Sequence, residues 1–261
     1  MEVIIVDDTE QIGPLAAQYI AAQVTKKPDS VLGVATGSSP LNIYADLGRR
    51  VAAGELSLAQ CSAFMLDEYV GLPADHPERY RNFIDREFVA RVDIEPTNVH
   101  GPDGLADDLF AACEEYEAAI NAAGGVDIQI LGVGTDGHIA FNEPGTSLAA
   151  RTHIGILTEQ TRRDNARFFD GDIDQVPQLC LTQGVGTILA ARHLLLVANG
   201  AAKAEAIAAI VEGPVTSMWT GSALQLHPQA TVIVDEAAAG QLKLTDYYKQ
   251  CYAAKPDFLR P

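Results

Sequence analysis

The sequence predicts an α/β fold built on an open, doubly wound and mostly parallel sheet with helices on both faces. Six short apolar runs, each of a length typical of a buried strand, recur along the 261 residues, and helical patterns follow most of them after a turn signal. Repeated alternation of strand and helix favours a parallel sheet, because each helical crossover covers one of its faces. A chain of this length can bury one large core, so we expect residues 1–261 to form a single domain.

The predicted elements alternate in order along the chain, in a Rossmann-like arrangement. The strands are expected at Val3–Val6, Val31–Ala35, Cys61–Leu66, Val126–Val133, His193–Ala198 and Thr231–Val234. The helices are expected at Glu10–Lys26, Pro40–Ala53, Glu78–Val92, Leu105–Ala123, Ala201–Glu212 and Ser222–His227. Open parallel sheets bind ligands beyond the carboxyl ends of their strands, so the residues that follow each strand are the candidate site.

The net charge argues against one class of partner. The chain carries 18 Lys and Arg against 35 Asp and Glu, which gives a formal charge of −17. Such a chain repels polyanions and has no basic stripe, so nucleic acid is not expected as a partner. If the substrate is a small anion, a local cluster of donors must attract it against the field of the whole protein.

Two further features bear on the compartment in which the protein works. Residues Met1–Asp8 lack the regions of a secretory signal, and no apolar run reaches the roughly 18 residues needed to span a bilayer. Cys61, Cys113, Cys180 and Cys251 are too far apart for a CxxC pair and are expected to be reduced thiols. We therefore expect a cytoplasmic protein with no membrane partner. The sequence leaves open whether it is a monomer or a homo-oligomer.

The turn after the second predicted strand is the first candidate site. Thr36, Gly37, Ser38 and Ser39 precede Pro40, which suits the first position of the following helix. Gly37 permits a tight turn, and hydroxyls and free backbone amides at a helix N-terminus favour a phosphate. The same residues are good helix-capping chemistry, so an ordinary cap is the alternative.

A pair of adjacent carboxylates follows the third predicted strand. Because side chains alternate along a strand, only one of Asp67 and Glu68 can face a given pocket. A carboxylate at this end of a sheet can remove a carbon-bound proton if burial raises its pKa. The alternative is an exposed acidic loop, or an ion pair with Arg79 or Arg81.

Three titratable residues lie close together in the glycine-rich loop after the fourth predicted strand. Asp136, His138 and Glu143 fall within eight residues, and Gly137 separates the first two. An imidazole beside carboxylates can transfer protons near neutral pH. A metal site formed by the same three residues is one alternative, although their spacing matches no recognised ligand pattern. A histidine with no chemical role in the loop is the other.

Two cations are candidates for binding an anionic group. Lys203 opens the helix after the fifth predicted strand, where a cation opposes the helix dipole unless an anion lies nearby. Arg167 lies in the polar run from Thr158 to Pro177, and its planar guanidinium suits a phosphate. Solvation at the surface is the alternative for either residue taken alone.

Taken together, these motifs resemble the glucosamine-6-phosphate deaminase family. The similarity runs in the same order over nearly the whole chain, and the Gly-His-Ile-Ala-Phe-Asn-Glu-Pro stretch at residues 137–144 is highly specific to that family and its near relatives. The matching segments are Thr36–Pro40, Leu66–Gly71, Gly132–Pro144, Arg167–Asp170, Leu181–Thr187, Lys203 and Met218–Pro228.

The resemblance implies an enzyme of amino-sugar catabolism that converts glucosamine 6-phosphate to fructose 6-phosphate and ammonia without a metal or organic cofactor. It assigns Asp67 as the base that moves a proton between C2 and C1. It assigns His138, assisted by Asp136 and Glu143, to the opening of the pyranose ring. The substrate-binding residues that it implies, most of them around the phosphate, are Thr36, Gly37, Ser38, Ser39, Gly137, Arg167 and Lys203. Residues 158–177 resemble the family's active-site lid.

One departure from the family pattern concerns regulation. Family members that an N-acetylated sugar phosphate activates carry basic residues at the positions of His153 and Gly155, and neither residue here is reliably cationic. We therefore expect little or no such activation.

Two rival functions share part of this pattern. A 6-phosphogluconolactonase has a related fold and also binds a sugar phosphate, but Asp67-Glu68-Tyr69 and Phe141-Asn142-Glu143-Pro144 favour the deaminase. A sugar-phosphate-sensing domain of a transcription regulator would normally carry a DNA-binding segment. Neither the acidic N-terminus nor residues Thr245–Pro261 offer a basic helix-turn-helix.

Overall fold

The centre of the structure is a seven-stranded parallel sheet. The computed structural model describes all 261 residues. Across the sheet the strands are β1 (Glu2–Val6), β10 (Ala230–Asp235), β9 (Leu194–Ala198), β6 (Ile128–Leu131), β2 (Val31–Val34), β3 (Ser62–Met65) and β5 (Val99–His100). The six predicted strands are confirmed, with bounds that differ by one or two residues. The two-residue strand β5 is too short to show a hydrophobic pattern.

Eight α-helices surround this sheet. They are α1 (Ile12–Lys26), α2 (Leu41–Ala52), α3 (Tyr80–Glu87), α4 (Leu109–Ala122), α5 (Glu159–Asn165), α6 (Val185–Ile188), α7 (Ala204–Glu212) and α8 (Thr245–Ala253). Helices α5, α6 and α8 were not predicted. The first two are only seven and four residues long, too short for a periodic pattern.

The predicted helices differ from the observed ones mainly at their ends. The helix predicted at Glu78–Val92 is interrupted at Phe88 and continues as a 3₁₀ turn over Val89–Arg91. Helix α4 starts late because the Asp108 carboxylate accepts hydrogen bonds from the backbone N–H groups of Phe110 and Ala111 and so caps it. The segment predicted as a helix at Ser222–His227 is a 3₁₀ helix over Thr220–Leu226.

A second, antiparallel sheet of three strands was not predicted. Strand β4 (Asp67–Tyr69) follows β3 after one residue and pairs with β8 (Leu179–Thr182), which pairs with β7 (His153–Ile156). These strands hold three or four residues each. Their partners lie far away along the chain, so tertiary contacts rather than local pattern determine them.

Two hydrophobic clusters correspond to the two sheets. The larger contains 55 buried residues, drawn from the parallel sheet and the helices against it. The smaller lies between the antiparallel sheet and the predicted lid, and we call it the second core; it consists of Tyr69, Leu72, Phe141, Leu157, Ala166, Phe169, Val176 and Cys180.

The strand order places a switch point at the centre of the sheet. Strands β2 and β6 are neighbours, and the chain leaves them in opposite directions, from β2 to β3 and β5 and from β6 to β9 and β10. Because the crossovers diverge there, a crevice opens beyond the carboxyl ends of these strands, as predicted for the site.

Two other expectations can be compared with the structure. All four cysteines are free, three of them buried and Cys251 exposed. None of the helices combines the length and the apolar character that a membrane-spanning segment requires.

Candidate active site

A cavity of about 480 Å³ occupies the crevice at the switch point. Its walls come from the turns after β2, β3, β6 and β9 and from the segment predicted as a lid. Eight of the residues proposed from the sequence line it: Thr36, Gly37, Ser38, Ser39, Asp67, His138, Arg167 and Lys203.

The turn after β2 presents backbone and hydroxyl groups to the cavity. The buried Tyr44 hydroxyl donates to the carbonyl of Ala35 at 2.7 Å and accepts from its N–H at 3.0 Å, which fixes the start of the turn. Gly37 has a φ of +88°, in the region that favours glycine. Pro40 is the N-cap of α2 rather than its first residue. The N-terminus of α2 therefore begins directly behind the serines, where the helix dipole favours an anion.

Asp67 is a buried carboxylate at the wall of the cavity. Only 6% of the residue is exposed, and its carboxylate accepts no hydrogen bond from the protein. Burial, with a further contribution from the negative charge of Glu68, raises the pKa of Asp67 to about 8. Such a carboxyl group can bind and release a proton close to neutral pH, as a general base requires.

Glu68 points away from Asp67 and has a structural role. Its carboxylate accepts hydrogen bonds of 2.9 Å from the backbone N–H groups of Tyr69, Tyr80 and Arg81, and so holds the beginning of α3. The Arg79 guanidinium lies 3.7 Å away, one of the ion pairs considered from the sequence. The expectation that only one of the two adjacent carboxylates faces the pocket is confirmed, since Asp67 lines the cavity and Glu68 does not.

The glycine-rich loop places a histidine beside two carboxylates. His138 Nδ1 lies 2.7 Å from Asp136 Oδ1 and 3.6 Å from Glu143 Oε2. Burial acts to raise the pKa of Asp136, but the contact with His138 outweighs it and holds that pKa at about 2. The imidazole reaches the cavity wall while both carboxylates stand behind it, which is an arrangement suited to proton transfer.

The same three residues have the geometry to hold a cation. One ligand atom from each of Asp136, His138 and Glu143 lies within 4.8 Å of the others. His138 Nδ1 lies 2.7 Å from Asp136 Oδ1 without the geometry of a hydrogen bond, so a cation and an acid–base group are both compatible with the cluster.

Buried amide side chains connect this loop to the strand that carries Asp67. Asn142 Nδ2 donates to the carbonyls of Ile139 and Gln183, at 3.0 and 2.8 Å. Gln183 in turn donates from its backbone N–H to the carbonyl of Leu66, at 2.7 Å, and from Nε2 to that of Met65, at 2.9 Å. The general-base candidate and the histidine loop are thus held in one network. The sequence pattern does not reveal this, because Asn142 and Gln183 lie 41 residues apart.

Two cations, Arg167 and Lys203, also line the cavity. Arg167 lies on a 3₁₀ turn after α5, with its guanidinium 4.6 Å from the centre of the Phe168 ring. Lys203 ends the 3₁₀ turn Ala201–Lys203 and precedes α7, so it stands at the helix N-terminus and not inside its first turn as predicted. Burial lowers the pKa of Lys203, and the charge of Asp164 opposes that shift.

Some residues differ from the predicted set. Asp136 and Glu143 stand behind His138, and Gly137 lies against the Trp219 ring, so these three do not line the cavity. The cavity also contains side chains that the sequence analysis did not single out, among them Thr135, Tyr80, Thr161, Asp164 and Asn165. Thr135 lies in the glycine-rich loop, and the other four lie on α3 and α5, whose positions depend on tertiary packing, so no local motif marks those four.

Known proteins resemble this chain along most of its length. Residues 8–236 match the family model described as glucosamine-6-phosphate isomerases/6-phosphogluconolactonase. A glucosamine-6-phosphate deaminase of Mycolicibacterium smegmatis is 64% identical over 98% of both chains. One from Streptomyces coelicolor is 57% identical over 99% of both.

Solved structures show the same fold. A structure described as a monomeric glucosamine-6-phosphate deaminase of the NagB superfamily superposes with a TM-score of 0.90 at 42% identity, over 92% of this chain and all of the other. A 6-phosphogluconolactonase from Trypanosoma cruzi shares the fold at 20% identity, with a TM-score of 0.74 over 93% of this chain and 97% of its own. The chain therefore belongs to the family of glucosamine-6-phosphate isomerases and 6-phosphogluconolactonases.

Proposed function

We propose that this protein converts glucosamine 6-phosphate to fructose 6-phosphate and ammonia, as a catabolic enzyme of amino sugars. The proposal rests on one cavity that brings together three kinds of group. These are the buried carboxyl group of Asp67, the imidazole of His138 with its two neighbouring carboxylates, and the two cations Arg167 and Lys203. Relatives named for this activity are up to 64% identical over nearly the whole chain, which supports the same substrate. The resemblance seen in the sequence points to the same reaction.

The first chemical step in this proposal is opening of the sugar ring. A closed pyranose has no carbonyl group, so the proton on C2 is not acidic. His138 takes the proton of the C1 hydroxyl and returns a proton to the ring oxygen, and the C1–O5 bond breaks to give an aldehyde. Asp136, whose pKa is about 2, stays ionised and stabilises the charged imidazole during the transfer. Glu143 Oε2 faces the same ring nitrogen at 3.6 Å.

Asp67 acts on the open chain. Its carboxylate removes the proton from C2, which gives an enolamine, and a proton returns at C1 to give a C2 iminium. Water adds to C2 and ammonia leaves, so the product is the ketose phosphate. Carboxylate and imidazole groups suffice for each proton transfer, and the proposal includes no metal or organic cofactor.

The phosphate lies between the turn after β2 and the two cations in this proposal. Thr36, Gly37, Ser38 and Ser39 offer hydroxyls and backbone N–H groups at the N-terminus of α2, while Arg167 and Lys203 supply positive charge. We place Gly137 near the sugar as part of the loop that carries His138. Residues 158–177 form the lid, which closes over bound phosphate through Arg167 and excludes water.

Replacing Arg167 by alanine should raise KM for glucosamine 6-phosphate by roughly 10- to 100-fold, because a charge-assisted contact with phosphate is lost. Steady-state kinetics measure this change. Arg163→Ala is the matched control, since Arg163 lies on the same segment, is exposed and pairs with Glu159 outside the cavity. Unchanged KM and kcat in Arg167→Ala would contradict the phosphate clamp.

Saturating N-acetylglucosamine 6-phosphate should change the half-saturating substrate concentration by less than about twofold, below the range of typical allosteric couplings. A Cβ atom built on Gly155 would lie 2.7 Å from the Sγ atom of Cys180, so this position has no room for the basic side chain that activated relatives carry. Saturation curves with and without the compound measure the effect. A large leftward shift would refute the prediction.

An assay of the unmodified protein tests the function itself. We expect ammonia and fructose 6-phosphate in equal amounts from glucosamine 6-phosphate, and no acceleration of 6-phosphogluconolactone hydrolysis. Lactone hydrolysis without ammonia would make the protein a lactonase. Tight binding of the amino sugar phosphate without turnover would favour a sensing domain.

Two further parts of the proposal concern the cellular compartment and the binding partners. We place the reaction in the cytoplasm, because the proposed substrate and product are charged phosphates that do not cross an apolar membrane core unaided. The proposed partner is the small-molecule substrate alone, and either a monomer or a homo-oligomer is compatible with a cavity lined by a single chain.

A further inference from the structure

The Glu143 carboxylate is held from the side opposite to His138. Its Oε1 atom accepts a hydrogen bond from the backbone N–H of Thr158 at 3.1 Å and another from Thr158 Oγ1 at 3.3 Å. Its Oε2 atom is buried, has no hydrogen-bond partner and lies 3.6 Å from His138 Nδ1. The two hydrogen bonds from Thr158 to Oε1 therefore hold the carboxylate in the orientation that directs Oε2 toward the imidazole.

Thr158 is also the first residue of the lid. It is the N-cap of α5, and its Oγ1 accepts a hydrogen bond from the backbone N–H of Thr161 at 3.2 Å. A threonine hydroxyl has one proton to donate and two lone pairs to accept with. Thr158 Oγ1 can therefore donate to Glu143 while it accepts from the backbone N–H of Thr161 and from Thr161 Oγ1, which lies 3.1 Å away. One hydroxyl thus connects the lid helix to the residue behind His138.

The rest of the lid is attached to the catalytic loops as well. Thr135, which precedes Asp136, donates to Asp164 of α5 at 3.2 Å. Asn165 donates to the Tyr69 hydroxyl at 2.9 Å. Ala166 and Phe169 of the lid share the second core with Phe141 of the histidine loop. A displacement of α5 is therefore transmitted to the loop that contains His138 and Glu143.

We infer that Thr158 is a positioning residue that couples the lid to ring opening. When bound phosphate draws Arg167 inward, α5 carries Thr158 with it, and Thr158 holds Glu143 so that Oε2 faces His138. Closure of the lid thereby keeps the acid–base group aligned. This inference rests on the proposed function, and it assigns to that site a residue that does not touch the substrate.

Three substitutions separate this role from simple helix capping. Thr158→Ser keeps both the cap and the donor. Thr158→Asp keeps a good N-cap but has no hydroxyl proton and places a negative charge beside Glu143. Thr158→Ala loses the cap and the hydroxyl donor together, while the backbone N–H of residue 158 still donates to Glu143 in all three variants. Asp108→Ala is the matched control, since it removes the N-cap of α4 outside the cavity.

We expect Thr158→Ala and Thr158→Asp to lower kcat by roughly 10- to 100-fold, the effect of losing a hydrogen bond to a charged group. Thr158→Ser should recover most of the turnover. Thr158→Asp should melt close to wild type, whereas Asp108→Ala should melt lower and keep its kcat. Binding of 2-amino-2-deoxyglucitol 6-phosphate, an acyclic compound that needs no ring opening, should change by less than about threefold in all variants, because the phosphate clamp remains.

The possible outcomes are distinct. If Thr158→Asp retains wild-type kcat, the hydroxyl only caps α5 and the inference is wrong. If its affinity for the acyclic compound falls as much as its kcat, Thr158 serves lid closure in general and not His138. If the wild-type protein binds the acyclic compound but releases no ammonia, the proposed function is wrong, and the inference about Thr158 is overturned with it.

Discussion

Replacing Asp67 by asparagine should lower kcat for glucosamine 6-phosphate by at least about a thousandfold, near the upper range of a general base's contribution. Asparagine preserves the shape of the side chain but cannot accept a proton from C2. Asp67 lines the cavity directly after β3, and the adjacent Glu68 is engaged by three backbone N–H groups, so Glu68 cannot replace it. Ammonia release by wild type and variant measures the effect, and equal rates would remove the proposed base.

The pH dependence of wild type offers a second check on Asp67. Burial raises its pKa to about 8, and the active form is the carboxylate, so kcat/KM should rise with pH through that region. The folded-state pKa lies above the ordinary value, which means that folding disfavours the charged form and that stability is lost as pH rises toward 8. Asp67→Asn should therefore melt at or above the wild-type temperature at neutral pH. A large drop in melting temperature would show that its inactivity has a structural cause.

Replacing His138 by glutamine should lower kcat by roughly a hundred- to a thousandfold, because ring opening loses its acid and base. Glutamine can form hydrogen bonds but cannot take up and release a proton. Affinity for the acyclic amino-alditol phosphate should be retained, since the cations and the turn after β2 are untouched. Isothermal titration and ammonia release measure the two quantities.

His100→Gln is a suitable control for that substitution. His100 is exposed on β5 and does not line the cavity, so its replacement should leave kcat close to wild type. A loss of less than about tenfold in His138→Gln would place the histidine outside the chemistry.

Much of the central sheet could be predicted from the sequence because its strands are buried on both faces. Runs such as Val31–Val34 and Leu194–Ala198 are almost wholly apolar, and buried strands of a parallel sheet have this pattern. The alternation of Asp67 and Glu68 likewise follows from strand geometry alone. The switch point could be expected from strand and helix alternation, although the strand order itself could not.

What could not be predicted depends on contacts between distant segments. Strand β4 has the sequence Asp-Glu-Tyr, which has no strand pattern of its own, and it is a strand because β8 pairs with it. Gln183 connects the chain just before Asp67 to the histidine loop, because it donates to the carbonyl of Met65 and accepts from Asn142. These bonds use main-chain carbonyls, whose positions no sequence pattern encodes. The bond from Thr158 to Glu143 joins two residues that are each unremarkable in sequence, a threonine at a helix cap and an acid in a loop.

The second core has a consequence for how substrate enters. It contains Ala166, Phe169 and Val176 of the lid, and Leu157, which directly precedes the lid, and packs them with Phe141. A swinging flap would expose these apolar side chains to water, which is unfavourable. Entry should instead accompany a brief, cooperative loosening of the whole cluster. In hydrogen-exchange experiments, amides of the lid and of the histidine loop should then exchange at a common rate, as one unit of local unfolding.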